Sequence, residues 1–117
     1  MIEYSHEGRV TYAWFAGKTD NLRYNWFKAL HKEFKWRLPF MENSVISNFI
    51  LKYTPVEKVY YGKAKCNPKD KYSKETGEEI ARDRLLEKYY YDVARIQDDI
   101  KQYLESKIEA NLRKGYN

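Results

Sequence analysis

"TGEEIARDRLLEKYYYDVARIQDDIKQYLESKIEANLR", residues 76–113, is the stretch on which the fold turns. Thr76 and Glu79 stand at the S/T-x-x-E spacing of a capping box, in which two exposed backbone N–H groups at a helix start are satisfied reciprocally. After Gly77 no Pro or Gly interrupts the chain until Gly115, a residue suited to the position just past a helix end. Leu86, Tyr89, Val93, Ile96, Ile100 and Tyr103 step by three and four, a heptad-like seam. Leu104, Ile108 and Leu112 continue it with a drift toward the 3.6-residue period. A helix from Thr76 to Arg113 is a rod of roughly 55 Å at about 1.5 Å per residue. A compact chain of this size has a radius of gyration near 13 Å. Such a rod must protrude, bend or pack on another chain.

Working back from the rod, "GKAKCNPKDKYSKE" at 62–75 reads as a strand–turn–helix joint. Pro68 biases Asn67 toward an extended backbone and ends the strand, Asp70 and Ser73 suit turns, and Ala81 is small where the helix would cross the strand. Cys66, the only cysteine, has no second Cys and no nearby His for a zinc site. As a nucleophile it would need His31 as base across the fold, and a small residue near a strand end is the simpler role. Further back, "SVISNFILKY" at 44–53 and "VEKVYYGKAKC" at 56–66 flank Thr54-Pro55; both are rich in β-branched and aromatic residues and read as a hairpin, although 44–53 alone also fits a short buried helix. Thr19 or Asp20 caps a helix running to about Leu38, with Trp26, Phe27, Leu30, Phe34 and Leu38 on one side and Lys28, Lys32 and Lys35 opposite. Residues 2–16 form two short strands about His6-Glu7-Gly8, with Val10, Tyr12 and Trp14 alternating against Arg9, Thr11 and Ala13. The expected fold is α+β in the order ββαββα: a small antiparallel sheet packed on helix 20–38, and a long C-terminal helix. Residues 1–75 form the compact part and 76–113 the long helix packed on or projecting from it, within one domain.

The 117 residues are 43% hydrophobic and 17% aromatic, enough for one modest core, and carry a formal charge of +5. Residues 1–77 hold fourteen Lys and Arg against eight Asp and Glu, while 78–117 hold eight against nine. The basic character therefore lies outside the long helix. One Cys makes no internal disulfide, "MIEYSHEGRV" has charges where a signal peptide has its apolar core, and no apolar run approaches the roughly 20 residues of a membrane span. A cytoplasmic protein with no membrane association is expected.

"YYGKAKCNPKDKYSKETGEEIARDRLLEK", residues 60–88, resembles a pattern in small phage and prophage accessory proteins of Gram-positive bacteria. The pattern is Gly-x-Ala-x-Cys-x-Pro-x-Asp, an aromatic shortly after, then Gly and Ala-x-x-Arg, matched by Gly62, Ala64, Cys66, Pro68, Asp70, Tyr72, Gly77, Ala81 and Arg84. The resemblance implies a phage-encoded protein acting in a bacterial host cytoplasm. Proteins of that class often inhibit host machinery or host defences, anti-CRISPR proteins among them. It brings no catalytic residue.

Several function classes lose support from the residues themselves. There is no Gly-rich phosphate loop, nucleophile elbow or H-E-x-x-H, and adjacent carboxylates such as Asp98-Asp99 point about 100° apart on a helix. No catalytic residue, metal ligand or cofactor is expected. A non-catalytic inhibitor that binds a host protein or ribonucleoprotein is the leading expectation, with Trp36, Tyr60, Tyr61, Lys63 and Lys65 as one contact face and Tyr90 and Tyr91 as another. The alternative is RNA or single-stranded DNA binding through Lys28, Lys32, Lys35, Lys69 and Lys71 with interleaved aromatics. Homodimerisation through the heptad seam is the plain structural use of the rod.

Overall fold

In the computed structural model, which describes residues 1–18, 21–54 and 60–116, the order is ββααβα. Strand β1 (Ile2–Glu7) pairs antiparallel with β2 (Val10–Phe15) through the two-residue loop Gly8-Arg9, from Glu7↔Val10 to Ile2↔Phe15. Helix α1 (Leu22–Arg37) starts at Asn21, whose side chain accepts a hydrogen bond from the Tyr24 N–H at 3.0 Å. The cap is thus Asn21; the expected caps Thr19 and Asp20 lie outside the described residues. Helix α2 (Asn43–Tyr53) comes next, then strand β3 (Gly62–Lys65) and helix α3 (Lys74–Arg113). Strand β3 joins β2, giving an antiparallel sheet in the order β1-β2-β3.

Residues 44–53 are a helix: Ile46 and Ile50 are buried and Phe49 and Tyr53 pack beside them, the i, i+3, i+4, i+7 pattern of one helical face. The β-branched content that suggested a strand is what lines that face. The hairpin 44–66 is therefore not formed, and the described sheet has three strands rather than the four of ββαββα. Residues 56–59 of the expected second strand lie outside the described residues.

The long helix is continuous, and its first turn begins at Lys74. Ser73 is its cap, accepting from the Thr76 N–H at 3.3 Å, so Thr76 sits inside the first turn instead of capping it. At the far end Gly115, with φ +95°, and Tyr116 return their N–H groups to Leu112 and Asn111, the double bond of a Schellman stop. Leu85, Tyr89, Val93, Ile96 and Ile100 are buried against the chain's own body. The seam expected to face a second copy is thereby half consumed at home. Every residue from 101 to 116 is exposed, and the molecule measures 68 × 26 × 24 Å with a radius of gyration of 18.6 Å. Within α3 the turns up to Ile100 belong to the body, and the last third, from residue 101, is exposed and projects.

The core lies between the inner face of the sheet, α1, α2 and the turns of α3 up to Ile100. Trp26 stacks on Tyr60 at 4.0 Å between ring centroids and meets Tyr89 edge-on at 5.6 Å, with Phe15 tilted against both Trp26 and Tyr89. The sheet rests chiefly on α3, not on α1 as expected. Its inner face carries the small residues Thr11, Ala13, Gly62 and Ala64, all buried, so Tyr12 and Trp14 turn to the opposite face.

Candidate binding surfaces

The joint between β3 and α3 explains why the 60–88 pattern has its composition. A Cβ at Gly62 would stand 1.8 Å from the Ala81 carbonyl oxygen, and one at Gly77 would stand 2.6 Å from Thr11 Oγ1. Strand, hairpin and helix therefore approach more closely than side chains permit. Arg9 then fixes the turn, its Nη1 donating to the carbonyls of Asn67 at 3.1 Å and Asp70 at 2.8 Å and to Cys66 Sγ at 3.2 Å. Arg84 donates to the Lys63 carbonyl at 2.7 Å and Lys88 to the Tyr61 carbonyl at 2.8 Å. The Lys63 carbonyl belongs to the edge of β3 that the β2 pairing leaves free, and Tyr61 immediately precedes that strand, so α3 covers the sheet edge.

A part-buried cluster completes the joint. His6 Nε2 lies 2.7 Å from Glu78 Oε2, and His6 Nδ1 lies 2.7 Å from the Tyr72 hydroxyl and 3.1 Å from Thr11 Oγ1. It ties β1 and β2 to the turn before α3 through Tyr72 and to the second turn of α3 through Glu78. Sequence reasoning missed it because its members are 66 and 72 residues apart and share no motif. A cleft of about 380 Å³ lies alongside, with Cys66, Lys71, Tyr72 and Gly77 in its wall. Among the described residues no three His, Cys, Asp or Glu side chains converge to hold a metal ion. Cys66 is half-buried and engaged by Arg9, which makes it part of the joint.

The expected contact faces are rearranged. Tyr60 is only 2% exposed and belongs to the core, where its hydroxyl donates to the Tyr53 carbonyl; it is withdrawn from the contact face because Trp26 covers its ring. Trp36 is 80% exposed, but it borders a cleft with Lys28, Lys32 and Tyr89 on the α1 side, away from Tyr61. Tyr61, Lys63 and Lys65 do share one surface, the outer face of the sheet, with Tyr12 and Trp14 as unforeseen members. Tyr90 and Tyr91 are both exposed, yet they diverge: Tyr90 leans on the Tyr89 ring, and Tyr91 shares the Arg95 guanidinium with Tyr53. Lys35, Lys69 and Lys71 are exposed as well, Lys69 and Lys71 at the joint and not with the α1 lysines.

The projecting end of α3 is the third surface. Tyr103, the last residue held by the body through Phe49 at 5.6 Å, is followed by exposed Leu104, Ile108 and Leu112. The i,i+4 pairs Lys101–Glu105 and Glu109–Arg113 border this stripe. No helix of the described residues is long and apolar enough to cross a membrane. No protein-family model, curated protein or solved structure matches the chain. The phage-type resemblance thus rests on residues 60–88 alone, and those residues build the joint.

Proposed function

We propose that the chain is a non-catalytic binding protein that docks the projecting end of α3 on a host protein or ribonucleoprotein and blocks it, in the manner of a phage-encoded counter-defence inhibitor. The observation that supports this reading is the exposed stripe Leu104, Ile108 and Leu112 on a helix that its own body does not cover. Scattered exposed apolar residues need no explanation, but three at helical spacing on a projecting rod form a helix-in-groove ligand. The mixed charges beside the stripe suit a protein groove better than a phosphate backbone. The resemblance at 60–88 supplies the phage setting, and the net charge of +5 argues against DNA mimicry, which needs strong negative charge.

The test is a CRISPR-interference assay in a Gram-positive host whose effector clears a targeted plasmid. Expression of the chain should restore transformation, and Leu104→Ser with Ile108→Ser should abolish the rescue while leaving the folded body intact. Rescue that survives the double substitution removes the rod from the mechanism. Absence of any rescue removes the counter-defence reading.

A further inference from the structure

The outer face of the sheet is a different surface from the projecting rod, and its chemistry is independent of the rod's partner. We propose that this face is a platform for single-stranded nucleic acid, with unpaired bases stacking on Tyr12, Trp14 and Tyr61 and phosphates meeting Lys63 and Lys65.

Strand pleating puts Tyr12 and Trp14 of the central strand on this face, both part-exposed. Register places Lys63 opposite Tyr12 and Lys65 opposite Val10, both lysines exposed. Tyr61 meets the Tyr12 ring at 5.6 Å, and a shallow cleft of about 370 Å³ runs past Ser5, Tyr12, Trp14, Leu22 and Tyr61. Ammonium groups stand beside the rings: Lys63 Nζ is 5.8 Å from the Tyr12 centroid and Lys88 Nζ 5.4 Å from that of Tyr61.

Geometry selects a single strand. Residues two apart on a strand are about 6.8 Å apart, roughly twice the 3.4 Å rise of stacked bases, so neighbouring rings accept bases only from a chain whose bases are splayed. Charge sets the track. Glu3, Ser5 and Glu7 of β1 occupy the same face on the far side of β2, and the two carboxylates repel phosphate, which confines the strand to the β2–β3 side. A protein interface depletes lysine at its centre, whereas here lysines stand next to the aromatic rings. Aromatic faces with adjoining cations are how unpaired strands are held without sequence preference.

The test uses the full chain and fluorescence anisotropy with labelled oligouridylate, oligothymidylate and a blunt DNA duplex of equal length. Single strands of either sugar should bind more tightly than the duplex. The log–log salt slope should be near −1.4, as Lys63 and Lys65 predict at about −0.7 each for single strands. Tyr12→Leu, with folding checked by circular dichroism, should weaken binding about tenfold or more. Lys63→Gln with Lys65→Gln should shallow the slope by about 1.4. Lack of binding at low salt, a duplex bound as tightly as the single strand, or Tyr12→Leu binding like the parent would overturn the assignment. Should Tyr12→Leu fail to fold, the lysine pair decides: an unchanged slope overturns it. So does a face whose substitutions spare oligonucleotide binding and break a protein complex instead.

Discussion

Gly62 shows how a single position can look functional in sequence and be architectural in space. It opens the Gly-x-Ala-x-Cys pattern, yet its role is the absence of a side chain where β3 crosses the Ala81 carbonyl. The obstacle is backbone and cannot rotate away, so Gly62→Ala should cost about 1–3 kcal/mol through forced separation of β3 from α3. Chemical denaturation would register that loss; a variant as stable as the parent would show that the contact is loose. The joint's residue types were legible in the sequence as connection chemistry, because Pro68, Asp70 and Ser73 act locally. Its clasp was not legible, because His6, Thr11, Tyr72 and Glu78 meet only after the chain has folded. Tyr60 misled for a related reason: twelve tyrosines in one small chain cannot be sorted into wet and dry by pattern. Its place in the core comes from the flat ring of Trp26 lying on it.

At the scale of elements, α3 and α1 were readable because their apolar residues recur with helical period over many turns. Helix α2 was not, since eleven residues with several β-branched side chains fit either class and packing decides. Its polar contacts with α3 lie at its end, where the Tyr53 hydroxyl donates to Asp99 at 2.5 Å, Lys52 reaches the same carboxylate at 3.4 Å and Arg95 lies over the Tyr53 ring. The hydrogen bond from Tyr53 holds the Asp99 carboxyl below its ordinary value of 3.8. Its stabilisation is complete above that value and fades as pH falls through the lower folded one. Burial pushes the hydroxyls of Tyr53, Tyr60 and Tyr89 above the ordinary 10.0. Neutral phenol is thus favoured in the fold, and this contribution is complete below 10.0 and lost as pH rises through the raised values. The thermal midpoint should accordingly decline on both sides of a broad plateau. Tyr53→Phe should weaken the acid limb, which depends on its hydroxyl, and leave most of the alkaline limb to Tyr60 and Tyr89. An acid limb identical to that of the parent would separate Asp99 from the docking of α2.

At the scale of the whole molecule, one comparison of lengths left the rod to protrude, bend or pack on another chain, and the extent of 68 Å shows that it protrudes. The division of α3 was out of its reach. Period alone cannot tell which turns of an amphipathic helix find partners in their own chain and which are left over. One consequence concerns helical phase. Because α3 runs unbroken from the joint to Gly115, it sets both the distance and the bearing of Leu104, Ile108 and Leu112 relative to the sheet. Each residue inserted after Tyr103 would advance the stripe about 1.5 Å and swing it about 100°. One added alanine should therefore disable any grip that needs the stripe and the body together, whereas seven, nearly two whole turns, should restore the bearing at about 10 Å greater reach. A partner that tolerates the longer spacer but not the single insertion would be reading the protein as a protractor; one indifferent to both would be holding the tip alone.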